Sequence, residues 1–414
     1  MTLTWLGSWT VWAPVLALLA AALRLGIDRG GRGPWTALAP LLVVAPLAIA
    51  VQRTLALEPI HALLVAGLVV AILARDRDDL LQSECALKLA WVLGVSIALS
   101  WAGTELMAAV TGTRLNLEQW AVLAVPIASS DLWRVALPLS LLGGLVMMGG
   151  APFHFWPADL FQGGRAWAAP LCAAALQVSG AAWIARRLEG IDALPEARLV
   201  TIGLLSVTTG VALVVGAATL MQQRRPERRI GTLASLQGTL ALVMLLAPRG
   251  MPPGWFEHWA AHLVLALTGA GLYSRFLPVA DGESGTGGVL FRRHAFSALI
   301  GLISGFSLAG VPGTPGGSLW FDAARALAAT RHPGLLLLLG VAWLASFSTV
   351  MRQWREAAGI PDPPPPPTLA EKPAESEAST APPVTGVPWQ ARVALWIASA
   401  GVLGLGIVWA IEGR

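Results

Sequence analysis

The sequence predicts an all-α, polytopic membrane protein of about twelve transmembrane helices. Three observations carry that expectation. Apolar runs of roughly 20 residues recur along the chain, and a helix of that length crosses roughly 30 Å of hydrocarbon. Of the 414 residues, 55% are hydrophobic and 13% charged, with a mean hydropathy of +0.65. A soluble domain carries about 25% charged residues, so this composition leaves too little polar surface for one. Basic residues also gather in alternate loops, as the positive-inside rule requires of a multi-pass chain. The net charge is only +4, and the 28 basic residues include just two lysines, Lys88 and Lys372. The arginines read as orientation signals in loops, and no nucleic-acid surface is expected.

Taken in order, helices are expected near 5–25, 35–51, 54–74, 85–110, 132–150, 166–186, 197–220, 229–247, 257–277, 293–330, 333–351 and 390–411. The run from Trp5 to Leu25 is long and lacks a basic leader, so it reads as a retained first span. The tenth run is too long for one straight span. SLAGVPGTPGG (307–317) interrupts it, because Pro removes a backbone donor and Gly weakens a helix. Such a break survives at membrane depth only where protein or a wet cavity surrounds it. Counted as one broken helix, it gives twelve passes. Arg24, Arg29, Arg32, Arg75, Arg77, Arg224, Arg225, Arg228, Arg229, Arg275, Arg292, Arg293, Arg352 and Arg355 then share one side, with both termini on the other. Arg186 and Arg187 dissent, partly offset by Glu189 and Asp192.

Three regions follow: a transmembrane domain over 1–355, a Pro-rich linker over 356–388 and a last helix within 389–414. The linker holds PDPPPPPTLAEKPAESEASTAPPVTGVP, which cannot bury enough apolar surface to fold and is expected to be extended. DGESGTGGVL (281–290) is expected to be a shorter flexible loop. Cys85 and Cys172 stand far apart with no ligand spacing, so neither a disulfide framework nor an iron–sulfur site is indicated.

One cluster organises the rest. PFHFWPADLFQGG (152–164) resembles the PFHMWxPDVYxGAP signature of subunit N of proton-translocating NADH:quinone oxidoreductase, respiratory complex I. That subunit is one of three antiporter-like membrane subunits related to the Mrp cation/proton antiporters. Further segments resemble the same family in the same order: LEPIHALLVAG (57–67), SECALKLAWVLGVSIALS (83–100), ERRIGTLASLQG (227–238), FSLAGVPGTPGG (306–317) and LASFSTVMRQW (344–354). Together they cover about 55–355. The resemblance implies an antiporter-like fold with two inverted repeats, each holding a broken helix: 132–150 with MMGG in the first, 293–330 in the second. The family usually has fourteen helices, so two N-terminal ones are expected to be missing.

The resemblance also assigns roles. Glu58 stands at the family's channel glutamate, and Lys88 at the lysine whose nearness would tune that carboxylate. The plain readings are a hydrogen bond between Glu58 and His61, and a helix-start pair between Glu84 and Lys88 at i, i+4. Three family lysine positions are replaced, by Met147, Gln177 and Trp320. Methionine and tryptophan cannot exchange a proton carrier's charge, and glutamine relays only through hydrogen bonds. Asp322 with Arg325, and His262, are the candidate substitutes; self-satisfied pairing and packing are their plain readings. His154, Trp156 and Asp159 read mainly as structure, stitching the turn between the fifth and sixth helices.

The expectation is therefore a membrane-arm, subunit N-like component of a complex I-type assembly in the bacterial cytoplasmic membrane, with proton translocation lost or altered. The path residues, if one persists, are Glu58, Lys88, Glu84, Gln177, Asp322 and His262 with water. Alternatives are a working proton channel through these groups, or a subunit of a Mrp-type antiporter or membrane hydrogenase complex. No catalytic or metal site is expected in this chain. NADH, FMN, iron–sulfur clusters and quinone would belong to other subunits, and the partners would be neighbouring membrane-arm subunits and the lipid bilayer.

Overall fold

A computed structural model describes residues 58–74, 80–124, 131–150, 152–164, 168–247, 250–274, 289–358 and 389–411. The expected helices at 5–25 and 35–51 lie outside the described residues, as do Arg24, Arg29, Arg32, Arg75, Arg77, Arg275 and the linker from 359 to 388. The elements are α1 (Glu58–Leu73), α2 (Leu80–Thr111), α3 (Asn116–Leu123), α4 (Trp133–Met147), α5 (Phe155–Gly163) and α6 (Ala168–Leu188). A 3₁₀ turn (Ile191–Ala193) precedes α7 (Pro195–Gln222), α8 (Pro226–Leu246), α9 (Trp255–Ser274), α10 (Val289–Leu308), α11 (Pro315–Ala329), α12 (Pro333–Ala358) and α13 (Trp389–Ile411). Among the described residues, five helices are long and apolar enough to cross a membrane by themselves: α2, α6 with its 3₁₀ extension, α7, α8 and α12. The protein is a multi-pass membrane protein.

Three expectations need correction. The segment around the PFHFW cluster is not a plain turn, because residues Phe155–Gly163 form the short helix α5. The loop expected to end at 290 gives way to α10 at Val289, and α12 runs to Ala358, past the helix end expected at 351.

Burial follows composition. From Arg229 to Leu246 every residue of α8 is buried, as suits a helix apolar or small on all sides. It packs against α5, α6, α7, α9, α10, α11 and α12, which places it in the middle of the bundle. By contrast α7 exposes Leu199, Val207, Val211 and Val214, and α12 exposes Leu337, Val341 and Leu344. In lipid an apolar outer face costs nothing, so these helices stay apolar all round.

Two helices are interrupted, and in the same way. After α4, Gly149 takes φ 73°; its N–H bonds to Val146 O (2.9 Å) and that of Gly150 to Leu145 O (3.1 Å). After α10, Gly310 takes φ 74°; its N–H bonds to Ser307 O and that of Val311 to Phe306 O, both at 3.0 Å. Each is a left-handed helix cap of Schellman type, for which glycine is the residue without a Cβ penalty. The chain then restarts as α5 or as α11, where the Thr314 hydroxyl accepts from Gly317 N (3.2 Å).

An alanine at either capping glycine costs about 1–2 kcal/mol in backbone strain. Gly310→Ala carries a further cost, since its Cβ would run into the Trp320 ring, whereas at Gly149 the nearest atom is Pro157 Cγ at 3.2 Å. Gly310→Ala is therefore expected to lower the unfolding temperature more than Gly149→Ala. A thiol-reactive dye reads this directly, because Cys85 and Cys172 are both free and buried.

Candidate functional site at the two helix breaks

Breaking a helix strands carbonyl oxygens, and here neighbouring side chains take them up. At the first break, Trp156 Nε1 donates to Val146 O (2.8 Å) and Ser235 Oγ donates to Gly149 O (2.7 Å). At the second, Trp343 Nε1 donates to Gly310 O (2.8 Å) and Gln237 Nε2 donates to Leu308 O (2.9 Å). Ser235 and Gln237 both belong to α8, so one buried helix serves both interruptions. The Met148 carbonyl lies so close to α8 that a Cβ at Gly238 would collide with it.

Between the breaks stands a row of buried, mostly uncharged groups. Met147 closes α4 and is fully buried. Gln177 on α6 is also fully buried and donates from Nε2 to Ala234 O (2.7 Å). Trp259 Nε1 donates to Gln237 O (3.0 Å). His262 Nε2 shares a hydrogen bond with Ser307 Oγ (2.9 Å), which also accepts from Gly316 N (3.0 Å). Trp320 fills the space beside Gly310. Gln177 Oε1, Gln237 Oε1, His262 Nδ1 and Trp320 Nε1 have no hydrogen-bond partner among the described residues. Asp322, further along α11, is buried and lies 3.5 Å from the guanidinium of the largely exposed Arg325.

The charged groups fall elsewhere. Glu58 opens α1 fully buried, and its carboxylate lies 3.0 Å from Nε of the equally buried Arg187 at the end of α6. Arg187 Nη2 donates to Thr104 Oγ1 on α2, and Thr104 in turn donates to Ser100 O (2.8 Å). Three helices thus meet on one ion pair. Lys88 is not part of it: half exposed, it pairs with Glu84 one turn back at 2.6 Å. Nor does Glu58 bond to His61. Asp159 and Gln162 on α5 both accept from Arg228 (2.9 and 2.6 Å), while Arg229 makes a two-pronged pair with Glu356 on α12 at 2.7 Å in each prong. Among the described residues no group of three or more His, Cys, Asp or Glu side chains could hold a metal ion.

No family model matches the chain. Curated relatives do. NADH-quinone oxidoreductase subunit N of Alkalilimnicola ehrlichii is 29% identical over 295 residues, 68% of this chain and 56% of the relative. The same subunit of Acidithiobacillus ferrooxidans is 29% identical over 255 residues, 59% of this chain and 51% of the relative. The chain is a distant relative of NADH-quinone oxidoreductase subunit N. It spans about half the length of these relatives. The fold recurs in a chain of respiratory complex I from Thermus thermophilus (TM-score 0.68, 23% identity, 96% of this chain and 83% of that one). It recurs in a chain of a Mrp complex from Dietzia sp. (0.71, 16%, 97% and 80%) and in one of an archaeal membrane-bound sulfane sulfur reductase (0.73, 15%, 97% and 78%). The fold is antiporter-like.

Of the residues singled out in the sequence, the structure brings Met147, Gln177, His262 and Trp320 to the breaks, and leaves Glu84 and Lys88 on the outer face of α2. Arg187 escaped the sequence reading, which took it for a dissenting orientation charge. Its one local hint was spacing: Glu189 stands at the i, i+3 position of Arg186, to which it bonds at 2.6 Å, and only two residues from Arg187, where helical side chains do not face each other. Ser235, Gln237 and Glu356 carried no comparable signal.

Removing one member of a buried pair strands the other charge, at about 3–5 kcal/mol, whereas removing both together is near neutral. Arg187→Met alone is expected to destabilise the protein strongly, and Arg187→Met with Glu58→Leu to restore most of the loss. Thermal unfolding of the two variants and of Glu58→Leu alone completes the double-mutant cycle.

Proposed function

We propose that the chain is a membrane-arm component of a complex I-type NADH:quinone oxidoreductase that seals and braces the arm while its own proton translocation is lost. Twelve passes, two inverted repeats and residence in the bacterial cytoplasmic membrane belong to this reading, as do neighbouring membrane subunits as partners. NADH, FMN, iron–sulfur clusters and quinone would be held by those partners. The observation that carries it is the neutrality of the row between the breaks: Met147, Gln177, Gln237 and Trp320 carry no titratable group, and His262 is the exception. Apart from the His262 imidazole, a proton moving along such a row meets no acid or amine to load it. Among the described residues the one fully buried acid, Glu58, is held by Arg187, whose guanidinium stays charged under all working conditions. A lysine could give up its proton or swing away; this partner does neither. Arg186 and Arg187, each with an acidic partner, no longer count against the proposed orientation.

A second reading is favoured by particular atoms. Gln177 Oε1, Gln237 Oε1 and His262 Nδ1 are buried and unpartnered among the described residues, and such groups bind water. A proton path through Glu58, Lys88, Gln177, His262, Asp322 and water would use them. Lys88 is the weak point of that path, since it sits on an outer face. Membership of a Mrp-type antiporter or a membrane hydrogenase complex shares the fold and is separated by the subunits that co-purify.

The deciding measurement is proton uptake per NADH oxidised, in the purified complex reconstituted in liposomes. Under the sealing reading His262→Gln and Asp322→Asn leave the stoichiometry unchanged, as do Met147→Lys, Gln177→Lys and Trp320→Lys made singly. A lower stoichiometry in His262→Gln or Asp322→Asn makes the chain a conductor. Ordered water joining Glu58, Gln177, His262 and Asp322 at high resolution would point the same way.

A further inference from the structure

We propose that α8 is a coupling rod that ties the two helix breaks together, with Ser235 and Gln237 as its positioning residues. The two are separated by one residue, which turns them about 200° apart on a helix, so they face opposite ways. Ser235 holds Gly149 O of the first break, and Gln237 holds Leu308 O of the second. Neither carbonyl lies within α8 itself, and both bonds are buried. The start of α8 adds a tie to the first break: Arg228 grips Asp159 and Gln162 on α5, the second half of the first broken helix. Its neighbour Arg229 grips Glu356 on α12.

The rod has little slack. A Cβ at Gly231 would strike Pro157 O and Ala158 Cα, and one at Gly238 would strike Met148 O, so α8 and the first break touch backbone to backbone. On its other side Trp259 anchors the Gln237 carbonyl, and Leu236 fills the space over Gly216 on α7. A displacement of the first cap therefore moves α8, and α8 carries the Leu308 carbonyl with it. Packed interiors switch between arrangements more readily than they deform, and coupling between two sites is reciprocal.

The test is amide hydrogen exchange on the intact protein in its native assembly. Ser235→Ala removes the bond at the first break, and Gln237→Met removes that at the second with little change of volume. Each is expected to speed exchange by about three- to tenfold, the effect of one lost hydrogen bond, at both sets of amides: Gly149, Gly150 and Phe153, and Gly310, Val311, Gly316 and Gly317. Thr209→Val on α7, a buried hydroxyl with no bond to either break, is the control and leaves both sets unchanged. Faster exchange confined to the substituted break, or spread equally through α2, overturns the proposal. If a variant does not accumulate, the unmodified protein decides: a coupled pair shows one common temperature dependence of exchange at the two breaks, and two distinct ones overturn it.

Discussion

An interrupted helix inside a bilayer has to satisfy its freed carbonyls from protein, because hydrocarbon offers nothing in exchange for water. Most of this bundle answers to that requirement. Each break uses a left-handed glycine to turn its last carbonyls back on the chain, then borrows an indole N–H from a tryptophan and one side chain from α8. Because one helix supplies both of the last donors, α8 has to run through the middle, buried on every side. Its apolar faces, its glycines at 231 and 238 and its polar pair at 235 and 237 are consequences of that position.

The buried charges follow a separate logic. A carboxylate at Glu58 would be costly alone, and the end of α6 supplies its guanidinium together with a threonine hydroxyl from α2. The pair lies to one side of the breaks, whereas the buried side chains between them include Met147, Gln177 and Trp320. The breaks are lined by uncharged groups, and the fixed charge pair pins α1, α2 and α6 together. Outer-face pairs such as Glu84 with Lys88 are exposed and add little to stability.

The elements were largely legible. Apolar run length gave the long helices of the described region, though it missed the short α3 and ended α12 at 351, where the helix runs to Ala358; the two breaks were visible as MMGG and SLAGVPGTPGG, since glycine and proline leave a local signature. The helix α5 was missed because nine residues rich in Pro, Trp and Phe look like a turn when read without their packing. The partner of Glu58 was missed for a different reason. Arg187 lies 129 residues away along the chain, and the spacing of Glu189, three residues from Arg186 and two from Arg187, is too weak a hint to tell a buried arginine from one that marks a loop. Ser235 and Gln237 are ordinary helix residues whose importance exists only once Gly149 and Leu308 are placed on either side of them.

Arginine rather than lysine beside Glu58 fits the same picture as the neutral row. A lysine on a breakable helix can approach a carboxylate, withdraw, or shed its proton, and each change alters the carboxylate's affinity for its own. An arginine at the end of an unbroken helix, held by a second bond to Thr104, has one position and one charge. The electrostatic state of Glu58 is then set by the fold. The breaks are joined by geometry: two matched caps are bound to opposite faces of α8. Charge and geometry are separate here, with the Glu58–Arg187 pair to one side and the two caps meeting on the helix at the centre of the bundle.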